Sequence, residues 1–239
     1  MTSPSLSVEE VVSVTVTGRQ GTDERAALRA LRDENASVRL RAALTIGAAP
    51  DPRCVEALIE RCAVEPEFFV RDMLTWALTR HPVADTLPRL LGEVRSERAQ
   101  ARSQALHTLS KVGDPRAWPA ITRAVLTDAD EEVARSAWRA AVLLVPEGEE
   151  AALAAVLVTR LGRGGRATRL SLSRALIALG GAMAPALDGA RRAPDPAVRA
   201  HALATERMWH DPDTGFAAAL EGAERAVALG GAGGCEGEA

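Results

Sequence analysis

The stretch VRLRAAL, residues 38–44, decides the fold because related stretches recur along the whole chain. Successive copies are separated by 30 to 35 residues, and they begin at Val38, Val70, Ala101, Val133, Thr168 and Val198. Self-similarity at a fixed period of about 20–50 residues is the mark of a repeat array. The chain is therefore predicted to contain six repeats.

Each repeat also contains a second helix-start signal. Asp51-Pro52 and Asp114-Pro115 each precede apolar residues at helical spacing. Proline in the first turn and an acid before it favour the start of a helix. Gly47, Gly113 and Gly180 lie where we expect the preceding helix to stop. Each repeat is thus interpreted as two antiparallel helices.

A lone helix pair cannot bury its apolar face, whereas stacked pairs form a continuous core. Alanine recurs at one position of the repeat, and aromatic residues make up only 3% of the chain, as expected for closely packed thin layers. We predict an all-α fold, an α-solenoid forming a right-handed superhelix of about six helix pairs. Residues 1–21 are predicted to be a cap or tail, residues 22–229 the solenoid, and residues 230–239 a flexible tail.

The pattern of a proline-led helix, an acidic turn and then Val-Arg-x-x-Ala-x-x-x-Leu-Gly resembles the HEAT repeat, in its short PBS-lyase HEAT-like form. The resemblance covers roughly residues 22–210. In the fourth repeat Arg135 is displaced by one position, and Gly162–Gly165 lengthens the connection to the fifth. Proteins of this kind include scaffolds, transport receptors, bilin lyase subunits and DNA-alkylation glycosylases, so the resemblance implies the fold more strongly than the function.

Composition narrows the possible functions and compartments. The formal net charge of −3 argues against a protein that coats nucleic acid non-specifically. Cys54 and Cys62 are expected to be buried free thiols in a reducing compartment. The N-terminus lacks a signal peptide pattern and no stretch reaches the length of a spanning helix, which predicts a cytoplasmic protein without membrane attachment. No histidine spacing indicates a metal site, and no motif indicates a cofactor or a catalytic triad.

The second helix of each repeat is expected to line the concave face. Counting from the first residue of each copy, its outward positions form a polar to basic row that would suit an acidic or phosphorylated peptide. The predicted binding residues are Met73, Trp76, Arg80, Gln104, His107, Lys111, Arg139, Arg174 and His201. A merely solvated inner face is the alternative interpretation.

Arginines also recur near the start of each copy, at Arg39, Arg71, Arg102, Arg169 and Arg199. We expect them to pair with acids of the inter-helix turns, such as Asp33, Glu67, Asp130 and Asp195, which would tie neighbouring repeats together. A multivalent phosphate clamp is the functional alternative.

The segment from Glu67 to Trp76 contains Phe68, Phe69 and an Arg-Asp pair. In a glycosylase-like groove, Asp72, Trp76 and Trp138 would hold a damaged nucleotide. The preferred interpretation is that Phe68, Phe69 and Trp138 are packing residues.

Taken together, the sequence predicts a non-catalytic scaffold that binds a protein partner on its concave face. A DNA-binding or alkylated-DNA glycosylase-like protein is the alternative, with nucleic acid as partner. A lyase or tailoring enzyme subunit is a further alternative, suggested by the resemblance alone.

Overall fold

The computed structural model describes residues 25–232, so the predicted cap or tail at residues 1–21 and residues 233–239 of the tail predicted for 230–239 lie outside it, while residues 230–232 belong to the last helix. Every regular element in the described part is a helix, and the helices stack in pairs. The predicted all-α, α-solenoid class is confirmed. By its contacts the chain divides into two compact units, residues 1–108 and 109–239.

In the first unit, helical residues 25–30 are followed by five longer helices. These are α1 (Ala36–Ala48), α2 (Val55–Cys62), α3 (Phe68–Arg80), α4 (Val83–Glu93) and α5 (Ala99–Val112), the last of which crosses the unit boundary. Helix α1 packs against α3 to form one layer, while α2 packs on α3 and α4 to form the other. Leucines such as Leu58, Leu74 and Leu78 are buried between the layers.

The second unit repeats this two-layer plan. Its helices are α6 (Arg123–Leu126), α7 (Glu131–Leu144), α8 (Glu150–Leu157), α9 (Arg166–Ala178), α10 (Ala184–Arg191), α11 (Pro196–His210) and α12 (Phe216–Ala232). Helices α7, α9, α11 and α12 pack in sequence, and α8 packs on α6 and α10. No single helix among the described residues has the length and apolar character to cross a bilayer; only α9 together with Gly180–Arg191, bent by 118° from it, passes that test.

Asp51 and Asp114 do precede helices, as predicted, but these are the 3-10 helices Pro52–Cys54, which continues into α2, and Pro115–Ala120. The side chains of Asp51 and Asp114, and that of Asp195 before α11, accept hydrogen bonds from backbone N–H groups two residues later, at 2.8–2.9 Å. A side-chain acceptor at this position satisfies a donor that the helix itself leaves unpaired. Gly113 and Gly180 follow their helices with positive φ, as the stop signal requires.

Gly47 has a different role from the predicted one. It lies inside the last turn of α1, and a Cβ there would come within 2.3 Å of the Trp76 ring. The absence of a side chain therefore lets α1 and α3 approach, with the indole of Trp76 lying over the α1 backbone.

The repeated arginines bind backbone carbonyls rather than the turn carboxylates we predicted. In α3, for example, Arg71 Nη1 donates to the carbonyls of Glu65 and Pro66 at 2.9 and 2.6 Å. Equivalent bonds to carbonyls five or six residues earlier are made by Arg39, Arg102, Arg169 and Arg199. Asp130 and Asp195, two of the four expected acid partners, cap helices instead. These recurring arginines, hereafter the ladder arginines, therefore have a structural role.

Arg39 makes one additional contact, with a carboxylate that the repeat pattern does not indicate. Its guanidinium binds both oxygens of Glu65 at 2.7 Å, and Arg61 Nε donates to the same carboxylate at 2.7 Å. The Glu65 side chain is fully buried. Burial raises the pKa of Glu65, but the hydrogen bonds from Arg39, Arg61 and the Glu67 N–H outweigh it and lower the pKa to about 2.

Candidate functional site

The residues predicted to line the concave face lie in unequal environments. On α3, Met73 is half-buried, while Trp76 is 37% exposed and Arg80 is exposed. On α5, Gln104 and His107 are half-buried. Solvent therefore reaches these positions to different degrees, and one face of the Trp76 ring lies against α1.

Lys111, Arg139 and Arg174 are exposed, as the prediction requires, but His201 is not. The His201 side chain is fully buried in the second unit, so its assignment as a binding residue is wrong. Helix α12 covers it, with the Phe216 ring 5.8 Å from the imidazole.

His201 holds three parts of the second unit together. Its Nδ1 accepts a hydrogen bond from the N–H of Gly162 at 3.0 Å, which leaves the proton on Nε2. Nε2 lies 3.0 Å from the Arg169 carbonyl oxygen and 3.1 Å from Ser173 Oγ. Ser173 Oγ in turn contacts Thr205 Oγ1 at 2.8 Å, so the network is satisfied by a neutral imidazole.

This burial predicts that the second unit loses stability in mild acid. Burial lowers the pKa of His201 from 6.5 to about 4. The imidazole gains a proton more readily in the unfolded chain, so its contribution is complete above pH 6.5 and is lost as the pH falls to about 4. A tenfold difference in proton affinity between the folded and unfolded chain corresponds to about 1.4 kcal/mol, so the unfolding free energy should fall by about 3 kcal/mol.

Urea unfolding at several pH values, followed by amide hydrogen exchange in residues 162–205, measures this loss. His201→Gln should remove most of the pH dependence in that window. His210→Gln, at an exposed histidine, is the matched control and should keep it. An unchanged slope in His201→Gln would contradict the assignment.

Arg139 and Arg174 are brought together at a groove between α7 and α9. The groove has a volume of about 450 Å³. Its lining residues are Arg135, Arg139, Val142, Ala167, Leu170, Ser171, Arg174 and Ala175. Three arginines therefore line one depression that has no acidic residue in its lining.

Arg135 is in the groove because the fourth repeat departs from the pattern. In α3 and α11 the ladder arginine is the fourth helical residue, but in α7 that position is Ala134. Arg135 follows one residue later, about 100° further round the helix. The displacement turns the side chain from the inter-helix turn, where its counterparts bind, toward α9.

The charges of the groove are only partly compensated. Arg135 forms an ion pair with Glu132, one turn earlier on α7. Arg139 donates to Ser136 Oγ at 3.0 Å, and burial together with the nearby Arg135 charge lowers its pKa. Arg174 makes no ion pair or side-chain hydrogen bond with any residue in the range 25–232. The groove thus presents two positive charges without acidic partners in that range.

Apolar side chains form the rest of the groove. Val142 and Leu170 are half-buried in its wall. Leu143, four residues after Arg139 and therefore on the same side of α7, is 65% exposed. The surface combines arginine with exposed aliphatic area, a composition typical of protein-binding surfaces.

The comparisons with known proteins identify the repeats. The family model of HEAT repeats matches residues 64–142, which include α3 and most of α7. The chain therefore contains HEAT repeats, at residues 64–142. A comparison with curated proteins finds no match. The solved complex of CpcE and CpcF of phycocyanin lyase from Nostoc sp. PCC7120 is 16% identical, with 95% of this chain and 97% of that chain covered and a TM-score of 0.36.

Such a TM-score carries no information on what this HEAT-repeat protein binds. HEAT repeats themselves present extended surfaces on stacked helices, and proteins built from them use those surfaces for binding. The fold therefore suggests an interaction scaffold with protein partners.

The aromatic residues of this HEAT-repeat protein are not distributed as we predicted. Trp138 is buried, and its Nε1 donates to the Leu126 carbonyl at 2.8 Å, in agreement with a packing role. It is therefore closed to a stacked nucleotide, although Asp72 and Trp76 are exposed. Phe68 and Phe69, in contrast, are 64% and 75% exposed, so the packing interpretation is wrong for them. They occupy the first turn of α3, where no described helix of the first unit covers them.

The described part of the chain was searched for groups that could bind a metal ion and for reactive thiols. No group of three or more His, Cys, Asp or Glu side chains within residues 25–232 is arranged to hold a metal ion. The thiols of Cys54 and Cys62 are buried, as predicted, and burial raises the pKa of Cys62 to about 12. A thiol held protonated in this way is a poor nucleophile.

Proposed function

We propose that this HEAT-repeat protein is a non-catalytic scaffold and that the groove between α7 and α9 binds an acidic segment of a protein partner. The observation that carries the proposal is the convergence of Arg135, Arg139 and Arg174 on one groove in a chain of net charge −3. A local concentration of positive charge against the overall balance steers an anionic partner to this place.

The groove is preformed, which favours affinity. Its arginines project from two packed helices, and Arg139 is held by Ser136. Side chains that are already oriented lose less conformational freedom on binding. A guanidinium also binds a carboxylate through two parallel hydrogen bonds, which gives the contact a direction as well as a charge.

The apolar wall supplies the second half of recognition. Val142 and Leu170 line the groove together with the arginines, and the exposed Leu143 follows Val142 on α7. An acidic segment that contains an aliphatic or aromatic residue would bury that residue against this wall while its carboxylates bind the guanidinium groups. Burial of apolar area then adds to the electrostatic attraction.

Arg139→Glu/Arg174→Glu is expected to abolish capture of the partner. Each charge-assisted hydrogen bond is worth about 1.5 kcal/mol, so loss of two weakens binding by about 100-fold even before the introduced repulsion is counted. Quantitative affinity purification from the cells of origin, with wild type and variant as baits, measures the change.

The matched control is Arg163→Glu/Arg192→Glu, which alters the net charge by the same amount at two exposed arginines outside the groove. It should retain the partners. If the groove variant captures the same proteins at the same level as the control, the proposed function is wrong.

A further inference from the structure

We propose that the anionic group bound by this groove is a phosphomonoester on a protein side chain, namely phosphoserine, phosphothreonine or phosphotyrosine. The inference rests on the proposed function, because it specifies the chemistry of the partner segment at the same site. Four observations carry it: the charge count, the number of donors, the fixed guanidinium groups and the apolar wall.

The positive charge of the groove that has no acidic partner is equal in size to the charge of a dianion. Of the three arginines, only Arg135 has an acidic partner within the described range, Glu132. Arg139 and Arg174 have none there, which leaves an excess of two positive charges. A phosphomonoester carries a charge of about −1.5 to −2 at pH 7, whereas a carboxylate carries −1. A carboxylate alone would leave one guanidinium uncompensated next to another.

The donors also fit a tetrahedral group with three terminal oxygens. Arg139 and Arg174 project from α7 and α9, on opposite sides of the groove, and the Ser171 hydroxyl adds a third donor from α9. Each guanidinium contributes two parallel N–H groups, which match two oxygens of a phosphate. A carboxylate has two oxygens, one fewer than the terminal oxygens of a phosphomonoester.

Two of the three guanidinium groups, those of Arg135 and Arg139, are held in place before a ligand arrives. Glu132 holds Arg135, and Ser136 holds Arg139. Burial, and after it the nearby charge of Arg135, lowers the pKa of Arg139, and a bound anion would offset both effects. Arg135 and Arg139 lie one turn apart on α7, so the helix itself keeps their charges near each other.

The apolar wall distinguishes a protein segment from a free phosphate ion. Val142 and Leu170 lie next to the arginines in a groove of about 450 Å³, which exceeds the size of a phosphate group. Pockets of about 300–1,000 Å³ take ligands with substantial apolar area. We therefore expect an aliphatic or aromatic residue of the same segment to lie beside the phosphorylated side chain.

The experiment measures fluorescence anisotropy of labelled degenerate peptide mixtures that carry one fixed central residue. The fixed residues are phosphoserine, phosphothreonine, phosphotyrosine, sulfotyrosine, glutamate and serine. Sulfotyrosine matches phosphotyrosine in shape but carries one negative charge less at neutral pH. At least one phosphorylated mixture should bind about tenfold or more tightly than the glutamate and sulfotyrosine mixtures.

The full chain is used throughout, and circular dichroism verifies that each variant is folded. Arg139→Gln/Arg174→Gln should weaken binding of the phosphorylated mixture by at least about tenfold, whereas Arg163→Gln/Arg192→Gln should leave it within about twofold. Equal losses in the two variants would overturn the assignment of the phosphate to this groove.

Three further outcomes overturn the inference. If glutamate or sulfotyrosine binds as well as the phosphorylated residues, the groove takes an acidic segment and the proposed function survives alone. If inorganic phosphate displaces the peptides at a concentration equal to the dissociation constant of the tightest-binding mixture, the groove recognises phosphate rather than a protein segment. If a single-stranded DNA of the same length binds more tightly than every peptide mixture, the ligand is a nucleic-acid backbone.

Discussion

Replacing Glu65 by alanine is expected to lower the free energy of unfolding of the first unit by about 3–5 kcal/mol. The side chain is fully buried and accepts four hydrogen bonds, from two arginines and from the Glu67 N–H. Without it, the buried Arg39 and the mostly buried Arg61 keep their charges but lose their partner. An uncompensated buried charge costs more than the pair contributes.

Chemical denaturation with hydrogen exchange across α1 to α3 gives the local unfolding free energy. Glu60→Ala is the matched control, because its ion pair with Arg32 is exposed and 3.7 Å long. Exposed pairs contribute less than about 1 kcal/mol. A loss below about 1 kcal/mol for Glu65→Ala would show that the buried cluster does not hold the first unit together.

The same cluster predicts a second, lower acid transition. Because the pKa of Glu65 is lowered from 4.5 to about 2, its contribution is complete above pH 4.5 and is lost as the pH falls toward 2. This range lies below the window of His201. Hydrogen exchange should therefore show the second unit weakening first as the pH is lowered.

Trp138→Ala is expected to lower the unfolding free energy of the second unit by about 3–5 kcal/mol. The indole is among the largest fully buried side chains, and its Nε1 satisfies the Leu126 carbonyl. Truncation removes apolar burial, opens a cavity and leaves that carbonyl unpaired. Urea unfolding of the full chain, followed by far-ultraviolet circular dichroism, measures the effect.

Two companion variants separate packing from binding. Trp138→Phe retains most of the volume and should fold, while binding at the groove stays within about twofold of wild type. Trp118→Ala is the matched control, since Trp118 is only half-buried and its Nε1 binds the exposed Glu149. If Trp138→Phe folds normally but loses ligand binding, Trp138 is a binding residue and its structural role is secondary.

The repeat period and the helix starts could be predicted because both are local signals. A cap such as Asp51 acts on an N–H two residues away, and the periodicity of residues 38–44 determines one helix face. The ladder arginines were found by their regular spacing. Their carbonyl partners were not, because spacing alone does not distinguish a carboxylate from a backbone oxygen in the same turn.

The predictions that were wrong depend on distant contacts. His201 was placed on the concave face, but Gly162, 39 residues earlier, and α12 enclose it. Glu65 was missed because its main partner, Arg39, belongs to the preceding repeat. Phe68 and Phe69 were expected in the core because of their apolar character, whereas their positions in the first turn of α3 leave them exposed. The displaced Arg135 was visible in the sequence, but its consequence for the groove depends on α9.

Site-specific photo-cross-linking tests the central claim most directly. A photoreactive amino acid is placed at Ala167, an exposed residue of the groove, and separately at Ala155, an exposed residue of α8 outside it. We predict that Ala167 alone captures a protein partner in the cells of origin and that Arg139→Glu/Arg174→Glu removes the cross-link. Equal capture from both positions, or a cross-link that survives the two arginine substitutions, would contradict the groove as the binding site.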